Sequence, residues 1–303
     1  MVLKLPWLTV CRKIKGIITY NSTYPMMDRL SLLDRVAVIT GSSSGIGEAT
    51  ARLFSKRGAK ITIHGRSEEK LEEVKLMLLQ NGSTSEEVHT VTGDITDPAV
   101  REKMVEETVQ KFGCIDILVN NAGGGGQAGF LRDVTEDQMD FAFNVYLKAP
   151  VLLSKLCLPY LVKRKGNIIN VSGITATEVW PGAFPYNSFA KAGLDNFTKF
   201  AAAEFGQAGV RVNCVRPGVV VTPSFNAAFP DSSVREQFLS SCAKRTLLDF
   251  NGAPEDVAEI IAFYASDAAK FLTGDFTCAD GGRSINCNHG ETMPQPNYDD
   301  FLT

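Results

Sequence analysis

The stretch Val36-Ala-Val-Ile-Thr40-Gly41-Ser42-Ser43-Ser44-Gly45-Ile46-Gly47 runs an apolar segment directly into a glycine turn. Residues 36–40 fit a short buried strand of a parallel sheet. Past the turn, Ile46, Ala49, Thr50, Leu53 and Phe54 share one helical face, and Gly58 stands where a C-terminal cap belongs. The spacing is G-x-x-x-G-x-G, not G-x-G-x-x-G. Glycines here permit a tight turn and bring backbone N–H groups close to a phosphate at the helix N-terminus. A lone glycine turn can equally be a plain flexible connection. Its place between a strand and a helix favours a dinucleotide cradle made of Gly41, Ser43, Ser44, Gly45, Ile46 and Gly47.

Working outward, short strand-like segments at 60–64, 88–92, 115–119, 167–171, 211–215 and 276–279 alternate with helical patterns at 68–79, 98–112, 136–163, 186–206 and 254–266. Asp97-Pro98 is a cap residue followed by proline at the first helical position. Seven strands alternating with helices imply an α/β fold: a single-domain Rossmann architecture with a doubly wound, seven-stranded parallel sheet. The expected organisation is an N-terminal extension over 1–33, the Rossmann-type domain over 34–285 and a polar, flexible tail over 286–303. The stretch 222–252 would lie over the carboxyl edge of the sheet, where substrate lids are found.

Composition excludes several alternatives. A net charge of −3 argues against nucleic acid as the main partner. Seven cysteines without C-x-x-C spacing, and only three histidines, fit unpaired thiols in a reducing compartment and not a disulfide framework or metal cluster. There is no unbroken run of about 18 apolar residues, so no membrane partner is expected. The chain opens with Lys4, Arg12, Lys13 and Lys15 and no acid before Asp28. That start is similar to a mitochondrial transit segment, but arginine is scarce and Pro6 interrupts it. The expected location is cytoplasmic, with mitochondrial as the alternative.

Cofactor flavour is read at the end of the second strand. A carboxylate there would hold the ribose hydroxyls of NAD, whereas an arginine accommodates a 2′-phosphate. The chain has His64-Gly65-Arg66 and no acid before Glu68. Arg66 therefore favours NADP(H), with NAD(H) left open; its plainer reading is a solvated surface charge.

Together with Gly93-Asp94-Ile95, Asn120-Asn121-Ala122-Gly123, Asn144, Asn170-Val-Ser172-Gly173, Lys191-Ala-Gly-Leu194, Arg211 to Gly218 with Thr222, and Ala279-Asp-Gly-Gly282, the glycine turn resembles the classical short-chain dehydrogenase/reductase family over roughly residues 32–285. The resemblance implies hydride transfer between the nicotinamide cofactor and a small-molecule ketone, aldehyde or alcohol, in a homodimer or homotetramer. It implies that Asp94 and Ile95 border the adenine, that Asn121, Ala122 and Gly123 line the cofactor channel, and that Pro217, Gly218 and Thr222 embrace the nicotinamide. It also implies a catalytic set of Tyr186, Lys191, Ser172 and Asn144: general acid, pKa-lowering and ribose-holding cation, carbonyl polariser and relay anchor.

Two of those four depart from the family pattern. The tyrosine belongs four residues before the lysine, but Tyr186 is five before Lys191 and Asn187 stands at four. On a helix, i+4 lies about 40° away and i+5 about 140° away. The serine belongs second in a Ser-Ser pair, and that place holds Gly173, with Ser172 one residue early. Counting forward from Gly173 selects Tyr186; counting back from Lys191 selects Asn187. Three outcomes are open. A π-type widening of the helix could return Tyr186 to the face of Lys191. The register could be lost, leaving a cofactor-binding pseudoenzyme with Asn187 in the site. Ser188 or a water could relay protons. Trp180 and Phe184 could wall an apolar pocket, or serve as core or interface.

Overall fold

The computed structural model describes residues 29–124, 129–179, 184–224 and 229–286. Its centre is β1 (Val36–Ile39), which pairs in parallel with β2 (Lys60–Gly65) on one side and β4 (Ile117–Asn120) on the other. With β3 (Val88–Thr92), β5 (Asn167–Val171), β6 (Arg211–Pro217) and β7 (Phe276–Ala279), the sheet has seven parallel strands in the order β3-β2-β1-β4-β5-β6-β7. The order reverses between β1 and β4, the switch point at which a crevice opens at the carboxyl ends of the strands.

Both faces are covered, and successive strand residues divide between two cores with period two. Ala37, Ile39, Ile61 and Ile63 pack on one face with Phe54 of α1 (Gly45–Lys56), Leu71 and Leu78 of α2 (Glu68–Gln80) and Ile261 of a later helix. Val38, Leu118 and Ile168 pack on the other with Met104 and Val105 of α3 (Pro98–Phe112). Asp97 caps α3 by accepting from Ala99 N–H, and Pro98 takes its first turn. Glycine at 58 holds φ 86°, closing α1 as its position suggested.

The expected single helix over 136–163 is interrupted. It comprises α4 (Glu136–Phe143), a π turn over Asn144–Lys148 and α5 (Ala149–Arg164). This 29-residue stretch contains an 18-residue window of mean hydropathy 1.4, long and apolar enough to cross a membrane by length and composition. Counting unbroken apolar runs missed it. In the fold, Leu153, Cys157 and Leu161 bury against the sheet.

Helix α6 (Pro185–Phe205) is an uninterrupted α-helix. A buried amide chain fixes it to the sheet: Asn120 Nδ2 donates to Asn170 Oδ1 (2.8 Å), and Asn170 Nδ2 donates to Thr198 Oγ1 (2.8 Å). The Asp195 carboxylate, on the same helix, takes 2.8 Å contacts from Arg216 of β6. Helix α7 (Ser232–Ala243) falls within the stretch 222–252, and α8 (Pro254–Ala265), which contains Ile261, ties to α1 through Arg52–Glu255 and Arg57–Glu259 ion pairs.

Most of the expected extension, and the tail past Asn286, lie outside the described residues. Leu32 is 1% exposed and donates its N–H to Arg57 O, so packing already includes the residues just before Asp34.

Candidate active site

The glycine turn is held by its neighbours. Asn121 Nδ2 donates to Thr40 O (2.9 Å) and Gly41 O (3.1 Å), and the N–H groups of Asn121 and Ala122 both donate to Thr40 Oγ1. A Cβ on residue 47 would lie 2.3 Å from Gly41 O and 2.5 Å from Asn121 Nδ2. Only glycine fits that approach. Ser44 caps α1 with its backbone extended and its hydroxyl making no cap bond. The first-turn N–H groups and this hydroxyl form an anion cradle suited to a dinucleotide phosphate.

Beneath the turn, His64 Nδ1 accepts from Gly41 N–H at 3.3 Å. Burial pushes the imidazole pKa down to about 4 from 6.5. The unfolded chain then binds the extra proton first, so stability is full above 6.5 and falls as pH drops towards 4. The expected loss is about 3 kcal/mol, at roughly 1.4 kcal/mol per pH unit. Urea unfolding at stepped pH should show this decline, and His64→Asn, which keeps an acceptor, should flatten it.

From the cradle a cavity of about 330 Å³ runs along the carboxyl edge of the sheet, within the range of small-molecule sites. Of the residues singled out in the sequence, it is lined by Gly41, Ser44, Gly45, Ile46, Asn121, Gly123, Ser172, Lys191, Pro217, Gly218 and Thr222, and also by Phe184. Trp180 lies outside the described residues.

Others stand behind the lining. The Ser43 side chain is directed at Gly65, and Ala122 backs Gly41. Ile95 is buried in the core of the α3 face. Asp94 accepts from Thr96 N–H and Oγ1, bonds that hold its carboxyl below the usual range. Arg66 is exposed at the end of β2.

The catalytic set is only half assembled. Lys191 Nζ donates to Val171 O (2.6 Å), and burial lowers its pKa to about 8. Ser172 lines the cavity, but its hydroxyl donates to Lys191 O at 3.4 Å. Asn144 begins the π turn and does not reach the cavity wall. Tyr186 is 2% exposed and packs in the core with Ala190, while Asn187 lines the cavity beside Lys191. Of the three outcomes left open, a widening of the tyrosine helix is not what α6 shows. Helix α6 keeps α geometry from Pro185, and the π turn sits instead at Asn144–Lys148. With 3.6 residues per turn, position 187 shares the face of 191 and position 186 turns inward.

Sequence reading missed Tyr146. The π turn buries it, its ring lies against Gly123, and Lys191 Nζ sits 4.8 Å from the ring centroid. Burial pushes its phenol up to about 12, opposed by a backbone hydrogen bond with Gly124. Its two-residue offset from Asn144 carries no signal without the π turn.

A strand-order switch, a glycine turn suited to phosphate and a half-buried lysine in one crevice fit a dinucleotide-dependent oxidoreductase. Comparisons with known proteins agree. A family model described as enoyl-(acyl carrier protein) reductase matches residues 41–284. A subunit of (2S)-[(R)-hydroxy(phenyl)methyl]succinyl-CoA dehydrogenase from Thauera aromatica is 37% identical over 260 residues, covering 84% of this chain and 99% of that protein. A short-chain dehydrogenase/reductase of unknown function from Caenorhabditis elegans, solved with cofactor, superposes with a TM-score of 0.79 at 36% identity, covering 85% of this chain and 97% of that one. L-Sorbose reductase from Gluconobacter frateurii, solved with NADPH and L-sorbose, gives 0.78 at 31%, covering 84% and 98%. The chain belongs to the short-chain dehydrogenase/reductase family, whose members are oxidoreductases that use a nicotinamide cofactor.

Proposed function

We propose that this protein is an NADP(H)-dependent oxidoreductase interconverting a ketone or aldehyde with an alcohol. The observation that carries the reading is the single cavity joining the α1 phosphate cradle to Lys191, Pro217 and Gly218. The nicotinamide supplies hydride chemistry when bound. Gly41, Ser44, Gly45 and Ile46 would hold its phosphates, and Lys191 its ribose hydroxyls. The L-sorbose reductase is a relative solved in complex with this cofactor, which supports the reading. Arg66 at the end of β2, with no acid in the sequence before Glu68, supports the 2′-phosphate. NADPH should therefore bind more tightly than NADH, measured by cofactor fluorescence. Arg66→Ala should weaken NADPH about tenfold and leave NADH unchanged, as for one charge-assisted hydrogen bond. Equal losses for both cofactors would sink the NADP assignment.

One observation favours a second reading, a cofactor-binding protein with little or no turnover. Asn187 occupies the helical position beside Lys191, and a carboxamide cannot release a proton as a phenol does. A carbonyl panel with NADPH decides: binding without turnover on any member supports this reading over the first.

We also infer a homodimer or homotetramer. Phe189 and Phe200 of α6 are 42% and 69% exposed, supporting a partner on that face. Five described cysteines are free, which supports a reducing, cytoplasmic compartment.

A further inference from the structure

Gly173 leaves a side-chain position empty at the substrate end of the cavity. Its backbone is extended (φ −178°, ψ 157°), a conformation open to any residue. A Cβ placed there would meet only Thr175 Oγ1 at 3.5 Å, Pro217 O at 3.9 Å and Thr175 N at 4.0 Å. The Thr175 hydroxyl therefore borders the space a residue-173 side chain would enter. The short helical turn Ile174–Ala176 brings it there, and Thr175 lines the cavity itself.

The other hydroxyls of the described lining are engaged or distant. Ser172 Oγ donates to Lys191 O, Thr222 and Ser224 bond each other at 2.6 Å, and the Tyr146 phenol bonds the Gly124 backbone. Ser44 stands at the other end of the cavity, as the N-cap of α1. Thr175 Oγ1 has no hydrogen-bond partner among the described residues. A hydroxyl in a cavity wall with unused donor and acceptor capacity is a ready contact for a ligand oxygen.

We propose that Thr175 is the hydroxyl that binds and polarises the substrate's carbonyl or alcohol oxygen, standing in for the side chain that residue 173 lacks. The inference rests on the oxidoreductase reading above and deepens it by naming the group that fixes the substrate's oxygen.

The test uses the full chain with NADP⁺ bound, and cyclohexanol and benzyl alcohol as probes, titrated by saturation-transfer NMR alongside cofactor fluorescence. Thr175→Val should weaken alcohol binding about tenfold, the worth of one hydrogen bond, with cofactor affinity unchanged. Thr175→Ser should keep alcohol binding. Gly173→Ser in the Thr175→Val background should restore it, because the new side chain enters the same space. Unchanged alcohol binding in Thr175→Val, loss in Thr175→Ser, failure of Gly173→Ser to restore it, or no alcohol binding by the natural chain with NADP⁺ bound would each overturn the proposal. Failure of the natural chain to bind NADP⁺ would instead overturn the reading of the cavity.

Discussion

Asn187→Tyr should raise NADPH-dependent carbonyl turnover by about 10²- to 10⁴-fold, the usual contribution of a positioned general acid. NADPH affinity should stay within about threefold, because the phosphate cradle is untouched. The substitution puts a phenol on the face of α6 that carries Lys191, where the cavity already receives the residue-187 side chain. A phenol of pKa about 10 needs a nearby cation to exchange protons near neutrality. The Lys191 ammonium, already lowered to about 8 by burial, is that cation. Tyr186→Phe, in contrast, should leave turnover unchanged, since Tyr186 packs in the core with Ala190. Steady-state kinetics on a carbonyl panel checks both variants. If Tyr186→Phe abolishes a measurable natural rate while cofactor binding persists, Tyr186 is the acid after all.

Gly47→Ala should weaken NADPH binding about 100-fold. The added methyl would press on the Gly41 carbonyl and the Asn121 amide, the two groups that lock the turn to the β4 loop. Overpacking of this kind costs about 1–3 kcal/mol, and each 1.4 kcal/mol is about tenfold in affinity. The strain falls on the N–H groups proposed to hold the phosphates, so the loss should appear in cofactor fluorescence before it appears in thermal unfolding. An unchanged Kd would mean that the α1 N-terminus is not the phosphate cradle.

The first strand was legible because a parallel strand buried on both faces reads as an unbroken apolar run, Val36–Ile39; the others were legible as short segments alternating with helical patterns. The cradle was legible because glycine is demanded there by contact distance. The register of α6 was not. Two counts, forward from Gly173 and backward from Lys191, disagreed by one residue, and spacing alone holds no information on where a helix absorbs an insertion. The structure sides with the count from Lys191. The π turn at Asn144–Lys148 had no signal in the sequence, which reads there as one continuous helix. Tyr146 and Thr175 were invisible for a related reason: each acts through a glycine's missing side chain, Gly123 and Gly173, in a different element.

The buried amide chain from Asn120 through Asn170 to Thr198 does more than hold α6 to the sheet. It sets a zero point near the middle of the helix, from which position is measured backward. Any codon gained or lost upstream then shows up only at the mouth of the cavity, while Lys191 keeps its height. In this chain, one residue gained or lost between Gly173 and Lys191 would change the side chain that meets the cavity and leave sheet and lysine in place. The chemistry at the cavity mouth and the scaffold behind it are thereby separable.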